Sequence, residues 1–267
     1  MPAYINWDEI IRGIIIDPII RDLYGIDTDS LALIQSFSDY RGLQEVLDTA
    51  VSFELSRPST VAQSVSRNGR ILTAARNTVK PWRFIIEPKP VFLYETYREK
   101  LEPILTADRH QEQLITLGNN AGQSWMIDYQ GSVDSLKFAH LGVSQFTVNA
   151  ASTGNTLVLN VNESAPDFTA IPSDTVVFKA GDIIQPAGHR YPYAVTKTVT
   201  RGSAATVTVI LNRGLITQPN YTMTNKGIIA GRKCYWIVKV SKLPAVRLIS
   251  GKFMTFTDNF ELIESVI

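Results

Sequence analysis

The sequence predicts a mainly β protein of the α+β type: a β-sandwich or barrel with one packed helix, an inserted small antiparallel β-domain, and a helical N-terminal arm. Three observations carry this. Short β-prone runs separated by Gly, Pro, Asn and Ser clusters recur from residue 133 to 229. The pair Asn68-Gly69 stands between two β-prone runs, which is a two-residue hairpin signal. Apolar residues at three- and four-residue spacing mark helices only before residue 56 and around residue 100. The expected organisation is an arm with helices over 1–55, a β domain built from 56–132 plus 230–267, and an inserted β-barrel or sandwich over 133–229.

Taken in chain order, isoleucine dominates the apolar side of residues 10–24. Its β-branching leaves helix and strand both open, and Pro18 ends or kinks either one. Leu33, Phe37, Tyr40, Leu43, Leu47 and Val51 predict a helix over 29–55, capped by Asp29 or Ser30 and interrupted at Gly42. Runs 60–66 and 70–75 form the expected hairpin, and Pro81 and Pro88 bracket an aromatic strand, Trp82-Arg83-Phe84-Ile85-Ile86-Glu87. Tyr94, Tyr97, Leu101, Ile104 and Leu105 share one face of a helix over 92–107, which Pro103 kinks or restarts. Strands are expected over 113–117 and 125–129, then in the inserted region over 146–148, 156–161, 175–178, 181–185, 193–199 and 205–211. Terminal strands are expected over 234–240, 245–249 and 260–266.

The 267 residues are long enough to bury a core without disulfide or metal staples. Charged residues make up 19%, below the usual quarter, which hints that neighbours cover part of the surface. A net charge of +1 supplies no global field toward nucleic acid or an anionic membrane, although such an average says nothing about local patches. The apolar stretch 10–20 is broken by Arg12, Asp17 and Pro18 and is too short to span a bilayer. Asp8 and Glu9 stand where a secretory signal carries cations, so the expectation is a protein held in the cytoplasm until it joins an assembly.

The residues that carry chemistry do not cluster. His110, His140 and His189 lack the spacing that places two ligands on one helical face, and they read as surface or partly buried side chains. The single cysteine, Cys234, lies in an apolar run and reads as a small buried hydrophobe. Neither a serine elbow, a P-loop nor a Gly-x-Gly-x-x-Gly is present, and the acid pairs Asp27/Asp29 and Asp128/Asp134 stand near turns. The expectation is no enzyme, no cofactor and no metal site. Arg57, Arg67, Arg70, Arg76, Lys80 and Arg83 form a stretch without an acid. With only Trp82 interleaved, it reads as a face that meets acidic neighbours or solvates the hairpin, ahead of a nucleic-acid interface. Tyr191 and Tyr193 alternate on one face of a strand, as packing of a small barrel or as a ligand platform.

The phrases Ser66-Arg67-Asn68-Gly69-Arg70, Pro81-Trp82-Arg83-Phe84 and Trp125-Met126-Ile127-Asp128-Tyr129-Gln130-Gly131 occur in that order. With the ending Phe256-Thr257-Asp258-Asn259-Phe260-Glu261-Leu262-Ile263-Glu264, they resemble tail-tube-like proteins of contractile-tailed bacteriophages. The likeness is to those of the baseplate hub, the tube-initiating ring and the distal tail. It covers about three quarters of the chain, rests on short motifs, and leaves the first 55 residues unmatched. Residues 178–200 look like part of a β-domain inserted into that framework.

The resemblance implies a structural virion protein, located in the tail or baseplate, whose copies close into a ring, commonly a hexamer. In such rings sheets extend between neighbours, which removes exposed strand edges. Its partners would be itself and other tail proteins, with no membrane, and with nucleic acid only as DNA passing through the tube. The candidate assembly residues are Ile14, Ile15, Ile16, Ile19 and Ile20 of the apolar arm and Arg67, Arg70 and Arg76 of the hairpin. The arm either docks on a neighbour or packs on the chain's own core. The alternative function is a carbohydrate-binding, host-recognition β module, with Tyr191, Tyr193 and Tyr221 as stacking faces. A cell-wall hydrolase would need a paired acid or a metal that the sequence does not arrange.

Overall fold

The computed structural model describes residues 42–56, 61–65, 71–75, 81–106, 111–117, 145–163, 171–231 and 234–266. In chain order the elements are α1 (Gly42–Asp48), β1 (Ser52–Ser56), β2 (Val61–Val65), β3 (Ile71–Ala75), β4 (Arg83–Glu87), β5 (Phe92–Leu93), α2 (Tyr94–Thr106) and β6 (Gln113–Thr116). There follow β7 (Phe146–Val148), β8 (Thr156–Val161), β9 (Val176–Phe178), β10 (Ile183–Pro186), β11 (Tyr193–Ala194), β12 (Val199–Thr200), β13 (Thr206–Ile210) and β14 (Ile228–Ala230). The last are β15 (Tyr235–Lys242), β16 (Val246–Ile249), a 3₁₀ turn (Ser250–Lys252), β17 (Phe253–Phe256) and β18 (Phe260–Glu264). The protein is mainly β, and among the described residues the ladders are antiparallel and no sheet closes into a barrel. The described residues form two compact units, one from 42–117 and 235–266, the other from 145–234.

In the first unit a five-stranded sheet runs β1-β4-β18-β15-β6. Strict alternation puts Phe84, Ile86, Phe260, Leu262, Trp236 and Ile115 on one covered face, all buried. Trp236 meets Trp82 edge-on at 5.6 Å and Phe84 at 5.8 Å between ring centres, so three aromatic rings knit the middle of this core. A second sheet, β16-β17-β5, joins it through Phe256, whose ring lies 4.8 Å from Phe260 and 5.5 Å from Phe92. Helix α2 buries Leu101 and Ile104, the face its periodicity predicts, and runs unbroken through position 103 to end at Thr106.

Some expectations change here. The helix predicted through residue 55 stops at Asp48, and 52–56 is the edge strand β1. Phe53 gains a tilted contact with the Phe84 ring at 5.8 Å only when the chain is extended, so pairing with β4 overrides a pattern that fits a helix. Strands β2 and β3 pair from Val61↔Ala75 to Val65↔Ile71. The predicted turn at Asn68-Gly69 itself lies outside the described residues, as does the strand expected over 125–129.

The second unit is expected as a small barrel or sandwich. Its strands form β13-β8-β7, β11-β10-β14 and the pair β12-β9. The two larger sheets meet at single bridges, Thr147↔Gly227 and Val195↔Leu211. No ladder runs through either point, so the circuit stops short of a closed barrel. At the second of them the contact is carried by two backbone bonds, Asn212 N–H to the Ala194 carbonyl and Thr196 N–H to the Ile210 carbonyl, both 2.9 Å. The core is the alternating set Leu157 and Leu159 on β8 with Val207 and Val209 on β13, joined by Phe146 and Phe178 at 5.3 Å. The region expected as one strand over 193–199 is split into β11 and β12, and β14 and β17 were not foreseen.

Candidate assembly surface

A sheet has two edges, and each presents unpaired backbone N–H and C=O groups that other strands can join. In the five-stranded sheet one edge is capped at Thr116. Gln44 on α1 reaches the outer side of β6, where its Nε2 donates to the Thr116 carbonyl at 3.1 Å and its Oε1 accepts from the Thr116 N–H at 2.9 Å. A carboxamide carries a donor and an acceptor side by side, so it stands in for one residue of a neighbouring strand. Its orientation is held by a second bond, from Nε2 to Asp48 Oδ1 at 2.7 Å.

The opposite edge, β1, has no such cover among the described residues. Val51, which leads into it, is 61% exposed, and Glu54 at its centre is exposed and has no cationic partner among the described residues. Phe53 and Leu55 lie on the covered face of the sheet but remain half-buried, since no strand flanks them.

The outer strand of the second sheet, β16, is also uncovered. Leu248 lies opposite the fully buried Met254 yet is 72% exposed, because the covered face ends before it. On the other face Ile249 and Phe253 pair across the hairpin and both stay exposed. The turn between them depends on Gly251, whose φ of 49° is a left-handed conformation that favours glycine. Arg247 is exposed and has no carboxylate partner among the described residues, whereas Lys242 at the base of the hairpin is held by Asp258 at 2.6 Å and Glu261 at 3.8 Å. Every large apolar side chain left exposed among the described residues (Val51, Val91, Leu248, Ile249 and Phe253) belongs to this unit. Exposed apolar side chains beside an uncovered strand edge make a candidate surface for contact with protein.

The sequence-derived assembly residues Ile14, Ile15, Ile16, Ile19, Ile20, Arg67, Arg70 and Arg76 all lie outside the described residues. The residues identified here were missed for a plain reason. Leu248 and Ile249 have the composition of any terminal strand, and only the sheet order shows them at an edge, with Phe253 opposite Ile249 on the next strand. Arg83, the one cation of the basic stretch whose side chain is described, is exposed on the outer face of β4.

The second unit holds a cleft of about 220 Å³ lined by Asn149, Ser152, Gln218, Tyr221, Met223 and neighbouring residues. Its floor is His189, placed by the turn at Gly188 (φ 76°). The histidine is fully buried, which corrects the expectation of a surface or partly buried side chain. Its ring is stacked on Tyr193 and touches Tyr191 and Tyr221. Nδ1 lies 3.2 Å from the Tyr191 carbonyl and Nε2 3.0 Å from the Ile216 carbonyl, so a neutral ring, with one N–H, satisfies one of them. Burial outweighs these two acceptors and lowers the histidine pKa from 6.5 to about 4.

Tyr191 and Tyr193 are buried, and Tyr193 Oη accepts from the Ile216 N–H at 3.0 Å, so both serve packing and offer no open stacking face. Tyr221 is half-buried at the cleft and donates to the Ala187 carbonyl at 2.5 Å. Cys234 is fully buried, and burial pushes its thiol pKa up. Among the described residues no group of three or more His, Cys, Asp and Glu side chains is placed to hold a metal ion. No helix among them is long and apolar enough to cross a membrane. No protein-family model matches the sequence, and no curated protein matches it.

Proposed function

We propose that the chain is a structural virion component of a bacteriophage tail, forming a ring at the distal tail tube or baseplate through contacts between subunits. The observation that carries the assembly part is the asymmetry of the first unit. Gln44 caps the β6 edge at Thr116, while among the described residues no strand or side chain caps β1 or β16, and Val51, Leu248 and Ile249 are exposed. A chain that blunts one edge and leaves apolar side chains on two others is built to be completed by a partner. The resemblance of the hairpin–strand–helix order and the closing strand to tail-tube-like proteins supports the phage assignment. A ring, commonly sixfold, closes such edges without leaving a free end.

The test is the size and symmetry of the purified protein, by light scattering with negative-stain imaging, alone and with other tail proteins. Rings in either condition support the reading. A strictly monomeric particle in every mixture overturns it.

A further inference from the structure

We infer that β1 of one copy pairs with β16 of the next, antiparallel, with Glu54 opposite Arg247. This rests on the ring reading above and names the surfaces that meet in it.

The argument starts from the two open edges and the ways they can combine. Strand β1 carries Phe53 and Leu55 on its covered face and Ser52, Glu54 and Ser56 on the other. Strand β16 carries Val246 and Leu248 on the face of buried Phe256 and Met254, with Arg247 and Ile249 on the other. Directly opposed residues in a sheet share a face. A full-length β1–β1 pair sets Glu54 against Glu54, two like charges. A full-length β16–β16 pair sets Arg247 against Leu248, so the covered face of one copy continues as the outer face of the other.

The mixed pair avoids both faults. With Glu54 opposite Arg247, Phe53 meets Leu248 and Leu55 meets Val246 on the covered face, while Ser52 meets Ile249 on the outer face. The most exposed apolar residue, Leu248, then lies beside a half-buried phenylalanine, and two unpaired opposite charges meet. Antiparallel pairing matches every ladder in the structure. Because the two edges differ, the contact is head-to-tail, and it generates rings when the rotation closes.

The experiment uses the full chain and three variants: Glu54→Arg, Arg247→Glu, and both together. Both side chains are exposed, and a thermal melt of each variant confirms folding. Assembly is read by light scattering against concentration and by negative-stain imaging. Each single variant is expected to raise the concentration for half-assembly about tenfold, and the double variant to restore it. Rings that form equally well in all four proteins overturn this pairing and leave the ring reading standing. A two-fold dimer in place of rings overturns the head-to-tail contact. A wild-type chain that stays monomeric in every mixture overturns the ring reading and this pairing with it.

Discussion

The side-chain amide of Gln44 bonds both backbone groups of Thr116, at 3.1 and 2.9 Å, and so occupies the outer edge of β6 as an added strand would. One helical residue thereby determines which side of the five-stranded sheet is finished. Gln44→Ala removes both bonds and exposes the edge. It is expected to lower stability by about 2 kcal/mol, seen as a lower urea midpoint with an unchanged slope. Self-association through the exposed β6 edge is expected to rise, visible in light scattering. An unchanged midpoint would show that water replaces the amide without cost.

His189 makes the second unit sensitive to acid. Its folded-state pKa is about 4 against 6.5 when unfolded, so the unfolded chain binds the proton first. The stability contribution is complete above pH 6.5 and declines as pH falls toward 4, by about 3 kcal/mol across that window. Denaturant unfolding at several pH values reads this slope. His189→Gln is expected to lower stability at neutral pH and flatten the slope between pH 6.5 and 4. A slope equal to that of the wild type would show that another group sets it.

Trp236 is buried between Trp82 and Phe84, and its Nε1 has no hydrogen-bond partner among the described residues. Trp236→Ala is expected to cost about 4 kcal/mol through the cavity it leaves. Trp236→Phe keeps an aromatic ring and loses only an unsatisfied N–H with some volume, so it is expected to cost about 1–2 kcal/mol. Equal losses for the two would count against aromatic packing as the source of the stability.

Cys234 has its thiol 3.5 Å from the Ile183 carbonyl and 3.6 Å from that of Ile229, with its pKa raised by burial. A thiol reagent is expected to leave it unmodified in the native chain and to label it only as denaturant opens the second unit. Fast labelling of the native chain would contradict the burial.

The features legible in the sequence are local. The strand over 156–161, the helical face of Leu101 and Ile104, and the apolar setting of Cys234 each reappear in the structure. The physical reason is that a period of two or of 3.6 is written into adjacent residues, whatever the rest of the chain does. Which strands become neighbours is set by the three-dimensional fold. Val51 to Leu55 fits a helix until β4, some thirty residues later, offers Phe53 a ring to pack against. Gln44 reads as an ordinary polar helix residue until the fold brings Thr116 to it, and Leu248 reads as core until the sheet ends beside it. Edge, register and barrel closure depend on contacts between distant residues, and no local pattern carries that information.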